Sequence, residues 1–123
     1  MSDFKPTLYL NHRCPFCLKL MIFVREAGMW DDFTLEVFEP GSAEHATIKE
    51  KLAPYFDSVT FPSAQIAPGE YMKDTAALIA RFEEQSGKSA ADMPLLDYYQ
   101  TGVMKQVGEL FMENKRLKEG VPA

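Results

Sequence analysis

Thr7-Leu8-Tyr9-Leu10-Asn11 is a short, mostly apolar run, and Cys14-Pro15-Phe16-Cys17 follows it after only two residues. The first run reads as a strand apolar enough to lie in the middle of a sheet. The second opens a helix from Cys14 to Ala27, in which Cys17, Leu20, Met21 and Val24 recur at i, i+3, i+4 and i+7 and make one apolar face. Pro15 suits the first helical position, where its missing N–H costs nothing, and Gly28 suits the residue after the helix. Phe33-Thr34-Leu35-Glu36-Val37-Phe38 is a second strand, ended by Pro40-Gly41. A strand–helix–strand unit implies parallel pairing through a right-handed crossover.

The rest of the chain extends this unit. Ser42 can cap a helix from Ala43 to about Leu52, with Glu44 in its first turn and Pro54 as its stop. Ser63 to Ala67 and Tyr71-Met72 flank Pro68-Gly69, a turn so short that the two strands must be antiparallel. Asp74 can cap a helix from Thr75 to Gln85 with Ala76, Ile79 and Phe82 inward, and Pro94 opens a last helix reaching about Glu119. The order βαβ-α-ββ-α plus one added helix makes an α/β protein with a mixed four-stranded sheet.

With 123 residues the chain is expected to form one domain, and its 46% hydrophobic and 25% charged content is that of a globular protein rather than a disordered one. The net charge of −5 and the absence of a dominant basic patch argue against nucleic acid and anionic membranes as partners. The start, Met1-Ser2-Asp3-Phe4-Lys5-Pro6, lacks the basic and apolar regions of a secretory signal, and the most apolar window, Leu18 to Val24, is too short to span a bilayer. The expected location is the cytoplasm, where a pair of cysteines is catalytic or redox-sensing more often than structural.

The cysteine spacing carries the chemistry. Cys14 falls at or near the N-cap, where unpaired backbone N–H groups and the positive end of the helix dipole favour a thiolate. Cys17 lies almost one turn on, within reach of a disulfide. Cys14 is therefore expected to be the exposed nucleophile and Cys17 the more buried resolving thiol, with His12 and Arg13 adding positive charge beside Cys14. Two other readings stand beside this one. Both cysteines can be core thiols, or Cys14, Cys17, His12 and His45 can bind zinc, although their spacing is not that of a zinc finger. No metal is expected on the preferred reading.

Leu8-Tyr9-Leu10 followed by Cys14-Pro15-Phe16-Cys17-Leu18-Lys19 resembles the glutaredoxins, whose active site is Cys-Pro-Tyr/Phe-Cys. Thr60-Phe61-Pro62 looks like the Thr-Val-Pro segment of the thioredoxin fold, in which the proline is cis. Tyr71-Met72-Lys73-Asp74-Thr75-Ala76-Ala77-Leu78-Ile79 resembles the segment that binds the γ-glutamyl end of glutathione in glutaredoxins and glutathione transferases. The likeness is greatest to glutaredoxins built like glutathione transferases and covers about residues 7–86. It implies a thioredoxin-like domain over residues 1–90, with residues 91–123 a C-terminal helical extension packed on it. It also implies glutathione-dependent thiol–disulfide exchange, with glutathione as co-substrate and protein or low-molecular-weight disulfides as partners. The rival readings are monothiol transfer or deglutathionylation through Cys14, as in a transferase N-terminal domain, and a non-catalytic glutathione- or partner-binding module.

The resemblance places glutathione on Arg13, Pro15, Phe16, Phe61, Pro62, Asp74 and Thr75. A cis bond before Pro62 is accessible because X–Pro amides tolerate it, and it would turn the Phe61 backbone towards Cys14 to pair with the peptide like an added strand. A trans proline opening an edge strand is the alternative. Asp74 and Thr75 at a helix start suit the γ-glutamyl carboxylate and ammonium, although Asp74 can equally be a simple cap. Family members carry Lys, Arg or Gln three or four residues before the proline to hold the glycyl carboxylate, whereas this chain has Val59 and Ser58.

Beyond the resemblance, Leu96, Tyr99, Val103, Val107, Leu110 and Leu117 form one apolar stripe, with Asn114 in the gap. Burying each large apolar side chain is worth ~1.5–3 kcal/mol, so the stripe should be covered, by its own domain or by a second chain. Short connectors favour docking in cis and a monomer over a homodimer. On either reading the helix is structural and carries no catalytic residue.

Overall fold

A computed structural model describes residues 4–119. Strand β1, Thr7–Asn11, leads into helix α1, Pro15–Glu26, and then into β2, Thr34–Phe38. Helix α2, Ala43–Leu52, precedes the hairpin of β3, Ser63–Ala67, and β4, Glu70–Lys73, and helix α3 spans Thr75–Ser86. The sheet order is β2-β1-β3-β4, with β1 parallel to β2 and antiparallel to β3, and β3 antiparallel to β4. This is the mixed four-stranded sheet that the element order implies, in the thioredoxin-like arrangement that the resemblance implies.

β1 is central, and its residues alternate between two cores. Leu8 and Leu10 face one layer, with Leu20, Phe23 and Val24 of α1 and Leu78, Ile79 and Phe82 of α3. Tyr9 faces the other, with Phe38 and with Ile48 and Leu52 of α2. The side chains of Leu8, Tyr9 and Leu10 are all fully buried, which is why the middle of the strand lacks a polar face. The apolar stripe of α1 is rotated slightly from expectation: Phe23 is buried and Met21 only half-buried. In α3 the inward residue is Leu78, while Ala76 is exposed.

The helix expected from Pro94 to Glu119 is two helices, α4, Pro94–Thr101, and α5, Val103–Lys118. Gly102 between them has φ −109° and ψ −96°, which breaks the helical path. A Cβ there would sit 3.1 Å from the Tyr98 carbonyl oxygen, so the junction is close-packed around a missing side chain. Met93 and Leu96 join the same core as β1, α1 and α3. The Glu26 carboxylate, at the end of α1, accepts hydrogen bonds from the backbone N–H groups of Leu95 and Leu96 at 3.4 and 2.6 Å, so α1 supplies the N-terminal cap of α4. α5, by contrast, has no fully buried residue. Residues 120–123 lie outside the described part, and no described helix is long and apolar enough to cross a membrane.

Candidate functional site

Cys14 is the N-cap residue of α1, with extended backbone angles, and Pro15 is the first helical residue. The Cys14 N–H donates to the Asn11 carbonyl at 3.2 Å, and the Cys14 carbonyl accepts from Leu18 N–H at 3.1 Å. These bonds hold the turn from β1 into the helix. Cys14 is half-buried and Cys17 only 1% exposed, and both are free thiols. Cys17 Sγ accepts the Asn11 N–H at 3.3 Å, which ties the second cysteine to the end of β1.

The thiols are strongly unequal. A hydrogen bond from the Cys17 side chain is the largest influence on Cys14 and lowers its pKa to about 6, with further help from the Cys17 and Phe16 backbone N–H groups and against the cost of burial. The same bond, together with burial, raises the Cys17 pKa. At neutral pH Cys14 is the thiolate and Cys17 keeps its proton.

The positive charge expected from His12 and Arg13 is spent elsewhere. His12 Nδ1 lies 2.7 Å and Arg13 Nε 3.0 Å from the two carboxylate oxygens of Glu39, at the end of β2. Hydrogen bonds from the side chains of His12, first, and Arg13, second, hold the Glu39 carboxyl below its ordinary pKa. Cys14 therefore owes its acidity to Cys17 and the helix start rather than to neighbouring cations. His45 does not join the cysteines. Its ring stacks on Phe38 at 4.6 Å, and its Nδ1 accepts the Gly41 N–H at 2.9 Å. No cluster of three or more potential metal ligands occurs among the described residues.

Phe61-Pro62 is a cis peptide, and Cys14 Sγ lies 3.9 Å from the Phe61 carbonyl oxygen. Pro62 is buried, and the Phe61 ring packs edge-on to Phe38 at 4.6 Å and to His45 at 5.9 Å. This aromatic chain supports the loop opposite Cys14. Nothing in the sequence marked His45 for this role, because the contact joins α2, β2 and the cis-proline loop. Phe16 is 52% exposed beside the cysteines.

Asp74 departs from a simple cap. It occupies the N-cap position of α3 with φ +75° and ψ 121°, and its side chain makes no cap hydrogen bond. Such a backbone costs a non-glycine residue ~1–3 kcal/mol, and residues of this kind cluster at ligand-holding positions. The exposed Asp74 carboxylate is thus available to a ligand beside the half-buried Thr75. Lys73, just before it, donates from Nζ to the Ser58 carbonyl at 2.6 Å. A cation therefore stands next to the two positions, Ser58 and Val59, that carry no charge of their own. The sequence holds no local signal for this, since 15 residues separate the partners.

A cleft of about 510 Å³ opens beside Cys14 and Pro15. Leu18, Met21 and Val37 line it from the domain, and Tyr99, Val103 and Val107 line it from α4 and α5. The Tyr99 hydroxyl donates to the Pro15 carbonyl at 2.7 Å. The C-terminal helices therefore form one wall of the cleft beside Cys14.

No protein-family model matches the chain, and no curated protein does. Solved structures do resemble it. Glutathione transferase Omega 3C from Trametes versicolor superposes with a TM-score of 0.55 at 16% identity, over 71% of this chain and 36% of that one. A glutathione S-transferase from the Antarctic clam Laternula elliptica gives 0.52 at 20% identity, over 69% of this chain and 36% of the clam protein. The chain thus spans about a third of the length of these neighbours, and the likeness is one of fold.

Proposed function

We propose that this protein is a glutathione-dependent thiol–disulfide oxidoreductase of glutaredoxin type, acting in the cytoplasm. The observation that carries the reading is the pairing of a half-buried Cys14 thiolate, pKa about 6, with a protonated Cys17 one turn away and the Phe61 carbonyl 3.9 Å from the nucleophilic sulfur. Likeness in fold to two glutathione transferases supports a glutathione-related role.

In the dithiol route Cys14 attacks one sulfur of a disulfide, the other sulfur leaves as a thiolate, and a mixed disulfide forms. Cys14 then no longer carries the negative charge that held the Cys17 proton. Cys17 attacks the Cys14 sulfur and gives its proton to the departing thiolate, which releases the second half of the substrate as a thiol and leaves a Cys14–Cys17 disulfide. Two glutathione molecules reduce this disulfide and become glutathione disulfide. The Phe61 backbone would align the cysteinyl part of glutathione, Asp74 and Thr75 the γ-glutamyl end, and Lys73 the glycyl carboxylate. Arg13, held by Glu39, is a weaker candidate for that carboxylate.

A second reading rests on the apolar cleft walled by Val37, Tyr99, Val103 and Val107. It suits a bulky co-substrate and monothiol chemistry at Cys14, by transfer or removal of glutathione. Reduction of hydroxyethyl disulfide with glutathione tests for either route, and reduction of a protein disulfide by the cysteine variants decides between them. The dithiol reading expects Cys14→Ser to abolish turnover and Cys17→Ser to lose protein-disulfide reduction while keeping turnover of glutathione mixed disulfides. Undiminished protein-disulfide reduction by Cys17→Ser would favour the monothiol route. Absence of glutathione-dependent turnover in the unaltered protein would leave a binding module.

A further inference from the structure

We propose that α5 pairs with the α5 of a second copy of this chain as a short, parallel, in-register coiled coil. The inference is independent of the chemistry at Cys14. It runs against the preference for a monomer drawn from connector lengths. That preference assumed that the stripe docks in cis, whereas Val103, Leu110 and Leu117 are 55%, 57% and 59% exposed.

Val103, Val107, Leu110, Asn114 and Leu117 are spaced by four, three, four and three residues, the a/d alternation of a heptad. Val103, Leu110 and Leu117 take the d positions, and Val107 and Asn114 take the a positions. A β-branched a residue with leucine at d favours two strands, and a single Asn at a pairs with its own copy and sets the register. The stripe's only polar member is thus the residue that a two-stranded seam uses.

The flanking charges select orientation. Glu113 falls at g and Lys118 at the following e, so a parallel dimer places each Glu113 beside the partner's Lys118, twice by symmetry. An antiparallel pair would set Glu113 near Gln106 and would leave Asn114 facing valine. Neither Glu113 nor Lys118 has an ion-pair partner within its own copy among the described residues. Because Val103 and Val107 also wall the cleft beside Cys14, the partner helix would run past the mouth of that cleft.

Sedimentation of the whole chain over a range of concentrations tests the pairing. The expected mass rises with concentration from 13.9 kDa towards twice that value. Leu110→Asp should hold it at the monomer with the circular-dichroism spectrum of the folded protein, since α5 has no fully buried residue within its own copy. Glu113→Lys should weaken the dimer, and adding Lys118→Glu should restore it. Asn114→Cys, with Cys14 and Cys17 both changed to Ser, should oxidise to a linked dimer, because equivalent a positions fall within the ~4.4–6.8 Å Cα separation a disulfide requires. A monomer at every concentration, a dimer indifferent to Leu110→Asp, a charge swap that fails to restore association, or an Asn114→Cys dimer that does not cross-link would each overturn the proposal.

Discussion

Replacing Cys17 by alanine removes the thiol whose hydrogen bond is the largest influence on Cys14. Serine is a poorer choice, because its hydroxyl can still donate to the thiolate. The Cys14 pKa should rise from about 6 towards the ordinary range, stopped short by the backbone N–H groups of Cys17 and Phe16, which remain. For a full rise to ~8.5 the thiolate fraction at neutral pH falls from roughly 90% to about 3%, some 30-fold. A more basic thiolate is intrinsically more nucleophilic, with a Brønsted slope of ~0.4–0.5, which returns about 10- to 20-fold. The rate at neutral pH should therefore drop only ~2- to 3-fold, and rate alone is a blunt readout. The midpoint of the pH profile is the sharp one. Iodoacetamide alkylation of Cys14, followed by mass spectrometry from acid to alkaline pH, should give a midpoint near 6 in the unaltered protein and a clearly higher one in Cys17→Ala. A midpoint in the ordinary thiol range for the unaltered protein, or one unmoved by Cys17→Ala, would refute the assignment of the acidity to Cys17. The linked stability has a definite sign. A thiol more acidic when folded adds stability that is complete above its unfolded pKa of ~8.5 and is lost as pH falls through about 6.

Asp74→Gly should raise the melting temperature by relieving the positive φ, worth about 1 kcal/mol or more, yet weaken glutathione binding in calorimetry. Asp74→Asn should weaken binding without the thermal gain, which separates charge from backbone. Glu26→Ala leaves the Leu95 and Leu96 N–H groups without their acceptor and should cost about 1–3 kcal/mol in urea unfolding. Glu39→Gln removes the carboxylate charge that His12 and Arg13 bind, so the Cys14 alkylation midpoint should shift downward; an upward shift would contradict the placement of those side chains.

Much of the architecture was legible locally. The Cys14-Pro15-Phe16-Cys17 turn, the apolar run of β1 and the Pro68-Gly69 hairpin are short-range patterns, and the structure has a strand, a helix start and an antiparallel pair at those places. Each depends on φ preferences, missing N–H groups and side-chain period, which neighbours along the chain determine. Ser42 is a case in point, since its hydroxyl caps α2 by accepting the His45 N–H at 3.2 Å. The place of Cys14 at the mouth of α1 was readable for the same reason.

What sequence periodicity left undecided depends on which distant groups meet. Arg13 and His12 turn to Glu39, 26 and 27 residues away, because β2 ends beside the turn after β1 in the parallel register. Glu26 caps α4 across some 70 residues, and the Tyr99 hydroxyl reaches Pro15 across 84. The 3.6-residue period also carried the last helix straight through Gly102, since the pattern records which residues are apolar and not whether a partner surface exists to bury them. α4 finds that surface on α1, whereas α5 extends past it with its valines and leucines exposed. A chain's local preferences select strands, helices and caps. Which charges neutralise one another, and which apolar faces stay open, follows only when the sheet order sets the distances between them.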